Sequence, residues 1–549
     1  MHSTRTSAMK VAPEDNLVVA LRDLNAGERV EVNGEVFELT QDVKSKHKFA
    51  ANDFSPGDVA TMYGVTVGQA TQPIPKGGLL TTENLVHLSA EYGEPTEGMN
   101  WEPPDVSRWN ESSFDGYHRS DGSVGTANHW LVVPMVFCEN GNVQLLKEAM
   151  QKSLGYERRD HYQLYAQELA EACKAEKDLA CIDLPEENSR WRDPLFPNVD
   201  GVKFLLHGMG CGETRGISND LCGLIAGYLN NPNVAGATIL SLGCQHAQVS
   251  ILEKEIEKRN PAFDKPMLVF EQQKHKSERE MLGQAIRQTF ESLQKANEIS
   301  REPSPLSKLT IGMECGASDG FSGISANPAL GKVADFVVAL GGRVILSEFP
   351  ELCGVEQEIV NRCASPEVGK RFVEIMRNYE ARAKEAGSGF HMNPSPGNVR
   401  DGLITDAIKS AGAARKGGSS PVVDALDYPG WVTKQGLSLL CTAGNDVEST
   451  TAMAGAGANL QLFSTGLGTP TGNPVTPVIK VSSNSKLADS FSDYIDFDTG
   501  HIISGEKSVE ATGQELLEEV IEYASGRKIA KAMLQGRDDF LPWKRGMSL

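Results

Sequence analysis

Five short apolar runs in this 549-residue chain each end on a cysteine set in a polar or glycine-rich loop. They are Leu131–Cys138, Lys203–Cys211, Ala237–Cys244, Leu309–Cys315 and Leu437–Cys441. Apolar runs of this length, separated by helical stretches, read as buried strands of a parallel sheet. In open α/β sheets, ligands bind outside the carboxyl ends of the strands. The pattern predicts five thiols along the edge where a substrate sits, and with them a site and a candidate metal. For each thiol a plain core position is the alternative, because buried cysteine is common without any function.

Size and charge narrow the field. A chain of 549 residues exceeds one ordinary core and divides into several domains. A formal charge of −20 argues against nucleic acid and anionic membranes as partners. It leaves room for an anionic small molecule held in a local cationic pocket. No run of about 18 apolar residues is present to span a membrane. The first residues lack the apolar core of a secretory signal. Ten cysteines with no CxxC pair are too sparse for a disulfide scaffold, so reduced thiols and a cytoplasmic location are expected.

Texture along the chain predicts an α/β protein with a small all-β module in front. Residues 14–88 alternate short strands with turns and show no helical period. Residues 89–113, rich in Pro, Glu and Ser, read as an extended linker. From Phe114 onward apolar runs alternate with helical segments such as Val143–Lys177, Asn219–Leu229, Ser277–Ile299 and Val355–Lys384. That alternation is the βαβ pattern. Two prolines in Asn297–Leu309 mark a boundary. The expected units are an α/β domain at 114–303, a candidate for dimerisation, and a Rossmann-like parallel-sheet domain at 304–549 carrying the catalysis.

Four segments carry candidate chemistry. The loop Glu314–Gly331 follows a strand and offers Cys315, Ser318, Asp319 and Ser322, with glycines that let a ligand approach the backbone. The run Arg343–Glu356 delivers Glu348 and Glu351, carboxylates suited to a hard divalent cation. The segment Asn393–Asn398 is followed by Lys409, Arg415 and Lys416, positive charges that an acid substrate needs. His47 stands between Lys46 and Lys48 in the β module. Cys211 with His207, and Cys244 with His246, have spacings that allow N/S metal ligation without being diagnostic. Gly466–Gly472 loosely resembles a dinucleotide fingerprint, but its spacing is one residue long and Pro470 and Pro474 interrupt the helix that should follow.

These residues resemble the altronate and galactarate dehydratases. The similarity is carried by Gly116–Thr126, Gly208–Gly212, Leu242–Cys244, Cys315–Leu330, Leu346–Glu348 with Pro350 and Glu351, Asn393–Asn398, and Thr465 with Gly466. In the N-terminal part, Ala20-Leu21, Gln41–Val43, His47-Lys48 and Ile74–Gly78 resemble the SAF module, a β-clip fold. The resemblance implies a hydro-lyase that converts D-altronate to 2-keto-3-deoxy-D-gluconate and water, with Fe2+ as cofactor and Mn2+ as an alternative. It also implies a homodimer or larger homo-oligomer. A galactarate dehydratase and, as a different class, a non-catalytic sugar-acid binding protein are the competing readings. Under the resemblance His47, Cys315 and Asp319 are the catalytic candidates. Lys48, Ser318, Ser322, Asn398 and Lys416 are the substrate-binding candidates. Cys211, Cys244, Glu348 and Glu351 are candidate metal ligands.

Overall fold

The structure, a computed structural model, describes residues 7–96, 98–156, 161–185 and 194–548. The N-terminal module is built from three small antiparallel sheets. They comprise Ala8–Met9, Leu17–Ala20 and Lys48–Ala50; then Arg29–Val32 with Glu35–Glu38; then Val59–Met62, Val65–Ala70 and Leu85–Val86. Alternation along Arg29–Val32 (Arg29 and Glu31 out, Val30 and Val32 in) sets which face of that ribbon is buried.

Two parallel sheets follow. The first holds Gly201–Phe204, His129–Pro134, Val234–Ser241 and Met267–Glu271 in that spatial order. The second has seven strands in the order Val422–Leu426, Gly436–Leu440, Arg343–Leu346, Thr310–Gly316, Leu460–Thr465, Val478–Ser482 and Phe497–Asp498. Every pairing within it is parallel. Thr310–Gly316 lies at its centre and the chain leaves it first toward one edge, then returns to build the other. That reversal opens a crevice at the strands' carboxyl ends. A small antiparallel sheet of Val124–Gly125, Ser113–His118 and Glu302–Pro305 sits where the chain enters and leaves the first α/β unit. Among the described residues, no helix is long and apolar enough to cross a membrane.

The five apolar runs are all strands, but they divide between the two sheets. Cys138, Cys211 and Cys244 follow strands of the first sheet, and only Cys315 and Cys441 follow strands of the second. The single row of five thiols is therefore corrected to two groups in two domains. The long helix expected over Val143–Lys177 is also divided, into Asn140–Ser153 and His161–Lys174, with residues 157–160 outside the described part. The Gly466–Gly472 turn leads to the strand Val478–Ser482 with no helix between, so it offers no helix N-terminus for a pyrophosphate.

Packing joins the three units. One apolar cluster combines Leu131, Ile239 and Leu224 of the first α/β domain with Ile345 and Met453 of the second. Helices Arg215–Asn230 and Asp446–Gly455 meet there, and a side chain at Gly227 would run into the Gly455 carbonyl. Buried asparagines complete the seam. Asn233 Nδ2 donates to the carbonyls of Asn459 and Val475 at 2.9 and 2.8 Å, and Asn231 Nδ2 donates to Ala454 and Ala458, both at 2.8 Å. Another cluster runs continuously from Leu17, Met62 and Val67 of the module into Phe321, Ile324 and Ile404 of the last domain.

The module thus lies on the last domain. Its loop at Lys46–Lys48 meets Gly320 and residues 400–402, where Gly402 adopts a φ of +92° and faces the Lys46 carbonyl. Replacing Gly402 with Ala adds a clash to a left-handed backbone. The variant is expected to lose about 2–3 kcal/mol of stability, read as a lowered denaturation midpoint together with faster proteolysis between residues 89 and 113.

Candidate functional site

Strand Thr310–Gly316 is apolar until its last turn, where it presents Glu314 and Cys315 at the crevice. The neighbouring strand Arg343–Leu346 runs into Ser347 and Glu348, then a short 3-10 turn carrying Glu351. Helix Asp406–Ala414 brings Lys409, and the turn after it brings Lys416. All of these side chains are largely withdrawn from solvent, with Glu314, Cys315, Glu348 and Lys416 at 0–1 % exposure.

Such burial is tolerable only if charges are paired. Lys416 Nζ donates to Glu348 Oε2 at 2.7 Å and to Cys315 Sγ at 2.9 Å. Lys409 Nζ donates to Glu351 Oε1 at 2.5 Å and to Asn393 Oδ1 at 2.9 Å. The Cys315 thiol lies 3.2 Å from Glu351 Oε2. Ser449 Oγ donates to Glu314 Oε2 at 2.6 Å. Glu348 has a left-handed backbone with φ of 64°, as do Lys46 at 76° and Ala317 at 50°. Non-glycine residues rarely adopt this conformation, and its concentration around one crevice is typical of a functional site.

The electrostatic consequences differ by residue. Burial pushes the Glu348 carboxyl up to about 7, with Glu351 adding to the effect. Glu314 is raised well above the usual carboxyl range by burial and by Glu348. Asp446, at the start of helix Asp446–Gly455, is raised by burial and by Glu351. Burial also opposes ionisation of Glu351, but Lys409 and Lys416 overcome it and hold that carboxyl below its ordinary value. The Cys315 thiol is pushed up by burial despite Lys416 beside it. Lys480, inside an apolar strand, is brought down to about 7 by burial; its ammonium nitrogen has no hydrogen-bond partner and stands 3.3 Å above the Phe463 ring.

Two overlapping sets could hold a metal ion: Cys315 with Glu348 and Glu351, and Glu314 with Glu348 and Asp446. The second fits a hard divalent cation best. Glu314 Oε1 and Glu348 Oε1 are both buried with no donor group from another residue, the two carboxyls facing one another, and a cation would satisfy both while offsetting the cost of burying their charges. Cys211 and Cys244 do not join this set. They lie at the end of the other sheet, and neither belongs to a three-ligand group among the described residues. Their candidacy as partners of Glu348 and Glu351 is corrected by the separation of the two sheets.

Other candidates make contacts that build the polar loop and its junction with the module. Asp319 is fully buried, and its carboxylate is consumed by Phe321 N, Ser322 N, Ser322 Oγ and Ser483 Oγ at 2.9–3.1 Å, and by Lys46 Nζ at 2.9 Å. That bonding organises the loop and ties it to the module. Ser322 is spent on Asp319 in the same way. Asn398 caps its own helical turn with Ser395 and donates to the Ser318 carbonyl at 2.7 Å, which fixes the polar loop. Lys48 is buried and donates to the Gly402 carbonyl at 2.6 Å, with its ammonium brought down to about 7 by burial.

His47 is different. It is half-buried, and its Nε2 lies 3.1 Å from the Arg400 carbonyl oxygen. A ring nitrogen facing a carbonyl must carry the proton, which leaves Nδ1 with a free lone pair. Burial lowers its pKa, so the ring stays neutral near pH 7.

Glu314, Asp446 and Lys480 were not among the sequence candidates. An acid and a lysine inside otherwise apolar strands are the available signals for two of them. Two cavities of 440 and 510 Å3 open elsewhere, one beside Tyr117, Asp200 and Arg301 and one beside Tyr63, Arg362 and Arg415. Clustered groups with displaced pKa values mark the chemistry better than volume does. Removing one partner of the buried pair tests the charge balance. Lys416→Met is expected to cost about 3–5 kcal/mol in denaturant unfolding, and adding Glu348→Gln should recover about 1–3 kcal/mol of that loss. Equal stability of Lys416→Met and the parent chain would refute the account.

Comparison with known proteins finds family matches in each of the three units. Residues 6–88 match the altronate/galactarate dehydratase SAF domain, residues 116–297 the second domain of D-galactarate dehydratase/altronate hydrolase, and residues 306–548 the C-terminal domain of D-galactarate/altronate dehydratase. Altronate dehydratase of Escherichia coli (strain K12) is 31% identical over 536 residues, covering 97% of both chains. Altronate dehydratase of Bacillus subtilis (strain 168) is 30% identical over 523 residues, covering 95% of this chain and 96% of the relative. Galactarate dehydratase (L-threo-forming) of E. coli is 30% identical over 525 residues, covering 95% and 93%. With matches in all three units and full-length relatives, the chain belongs to the altronate/galactarate dehydratase family and is a sugar-acid hydro-lyase.

Proposed function

We propose that this enzyme dehydrates D-altronate to 2-keto-3-deoxy-D-gluconate, using a ferrous or manganous ion at the Glu314–Glu348–Asp446 carboxylates. The observation that carries the metal reading is the pair of buried carboxylate oxygens on Glu314 and Glu348, which face each other and meet no lysine, amide or hydroxyl donor. When bound, the cation supplies a Lewis acid that stabilises charge on the substrate carboxylate as its α-proton leaves. The choice of altronate is supported by the Asn393–Asn398 motif and by the two altronate dehydratases among the relatives, although the galactarate enzyme is similar to almost the same degree.

The chain's own groups then divide the work. His47 takes the C2 proton on Nδ1, because it is neutral near pH 7 and its ring is held by the Arg400 carbonyl. Lys409 uses two of its three N–H groups on Glu351 and Asn393, leaving one to hydrogen-bond the departing 3-hydroxyl. That N–H proton passes to the 3-hydroxyl as the C3–O bond breaks, so the group leaves as water; the resulting enol tautomerises to the 2-keto acid, and the proton held by His47 passes to solvent while Lys409 is reprotonated from it. Lys416 keeps the cluster near neutrality, and the module excludes water by covering the loop that carries Cys315.

Anaerobic incubation of the iron-loaded protein with D-altronate and with galactarate, followed by detection of 2-keto acid, tests the reading. Turnover of altronate well above galactarate is expected, together with loss of activity on chelation. Preference for galactarate would overturn the substrate assignment, and full activity in excess chelator would overturn the metal assignment. His47→Gln should lower kcat by about 10²–10⁴-fold. In the parent enzyme kcat/KM should be maximal while His47 is neutral and fall as pH drops below 6.5 and through its lowered pKa. That acid limb should vanish or move in His47→Gln; an unchanged limb would remove His47 as the base.

A further inference from the structure

A second group of metal-ligating side chains lies where the N-terminal module meets the last domain. His87 follows strand Leu85–Val86 at the end of the module. Cys353 closes the 3-10 turn Phe349–Leu352, and Asp406 is the first residue of helix Asp406–Ala414. Their donor atoms all lie within 4.8 Å of one another. His87 Nδ1 is paired with Asp406 Oδ1, whereas Asp406 Oδ2 is buried and has no partner. Asp406 is only 3 % exposed, so this oxygen has no recourse to water. The Cys353 thiol also reaches the Asp406 carboxylate as a hydrogen-bond donor, so imidazole, thiol and carboxylate converge on one buried point.

We propose that His87, Cys353 and Asp406 form a binding site for a zinc-class divalent ion, separate from the catalytic cation. One nitrogen, one thiolate sulfur and one carboxylate oxygen make a mixed donor set that favours a borderline ion such as zinc over magnesium or calcium. Three protein ligands leave a fourth position for water. Glu356, buried nearby and accepting from Gly354 N at 2.6 Å, is anchored to the same turn as Cys353. On binding, the Cys353 proton is released to solvent and sulfur coordinates as the thiolate.

The placement gives the ion a structural task. Cys353 is two residues from Glu351, and Asp406 lies one helical turn before Lys409, the pair joined in the catalytic cluster. An ion holding both segments to His87 would lock the module onto the catalytic face and fix the spacing of Glu351 and Lys409.

The test uses the full-length chain. Metal is stripped, zinc is titrated back, and affinity and stoichiometry are read by calorimetry and by elemental analysis after gel filtration. Tight zinc retention is expected in the parent chain, weakened at least about a hundredfold in His87→Gln and Cys353→Ser. In cobalt-loaded protein, the near-ultraviolet thiolate charge-transfer band should survive Cys315→Ser and disappear in Cys353→Ser. No zinc retained by the parent chain, or unchanged affinity in both variants, overturns the proposal. So does a cobalt band that follows Cys315 instead. Circular dichroism monitors folding; should Cys353→Ser fail to fold, the zinc affinity of His87→Gln decides, since that side chain sits on the module's partly exposed edge.

Discussion

Charge neutralisation in a space closed to water is the constraint on which the buried acid and lysine cluster depends. Glu348 and Glu351 cannot both be ionised beside Cys315 without Lys416 and Lys409. The attraction within these pairs must offset the loss of hydration of every member, and it does so only with short, well-directed contacts. The strand ends supply the acids and a following helix and turn supply the bases. The parallel sheet brings these groups from distant parts of the sequence to one place. The left-handed backbone at Glu348 follows from the same demand, because the chain must turn sharply after the strand to aim that carboxylate inward.

Much of this was legible in the sequence, and the limits have physical causes. Strands were legible because burial on both faces demands continuous apolar runs, as in Thr310–Gly316 and Gly436–Leu440. Which sheet each run joins was not, because all five runs look alike and sheet membership is decided by long-range packing such as the seam at Gly227 and Gly455. Glu348 and Glu351 were legible as acids in the loop after a strand, and Lys416 as part of a cationic run. Asp446 was hidden, since an acid at a helix start is ordinary helix chemistry. Asp319 shows why a loop's role is hard to read from sequence. A polar glycine-rich loop looks like a substrate cradle whether its carboxylate faces the ligand or, as here, anchors the loop itself.

The family's three-part organisation also acquires a physical rationale. The first α/β domain shares its core with the last domain through one face, and the N-terminal module shares a core with the last domain through another. The last domain is therefore the hub. It contributes the titratable cluster at the strand ends, while the module sets Lys46, His47 and Lys48 against Asp319 and residues 400–402.

This arrangement has a consequence for how the protein is made. Lys46 meets Asp401 across 355 residues of sequence. At a synthesis rate of about 5–20 residues per second, the module waits roughly 20–70 s on the ribosome before the surface it rests on has emerged. Throughout that interval Leu17, Met62 and Val67 lack the part of their apolar cluster that the last domain supplies. The first segment translated is thus among the last to be completed, and a nascent chain stalled before residue 400 would present that apolar face to chaperones.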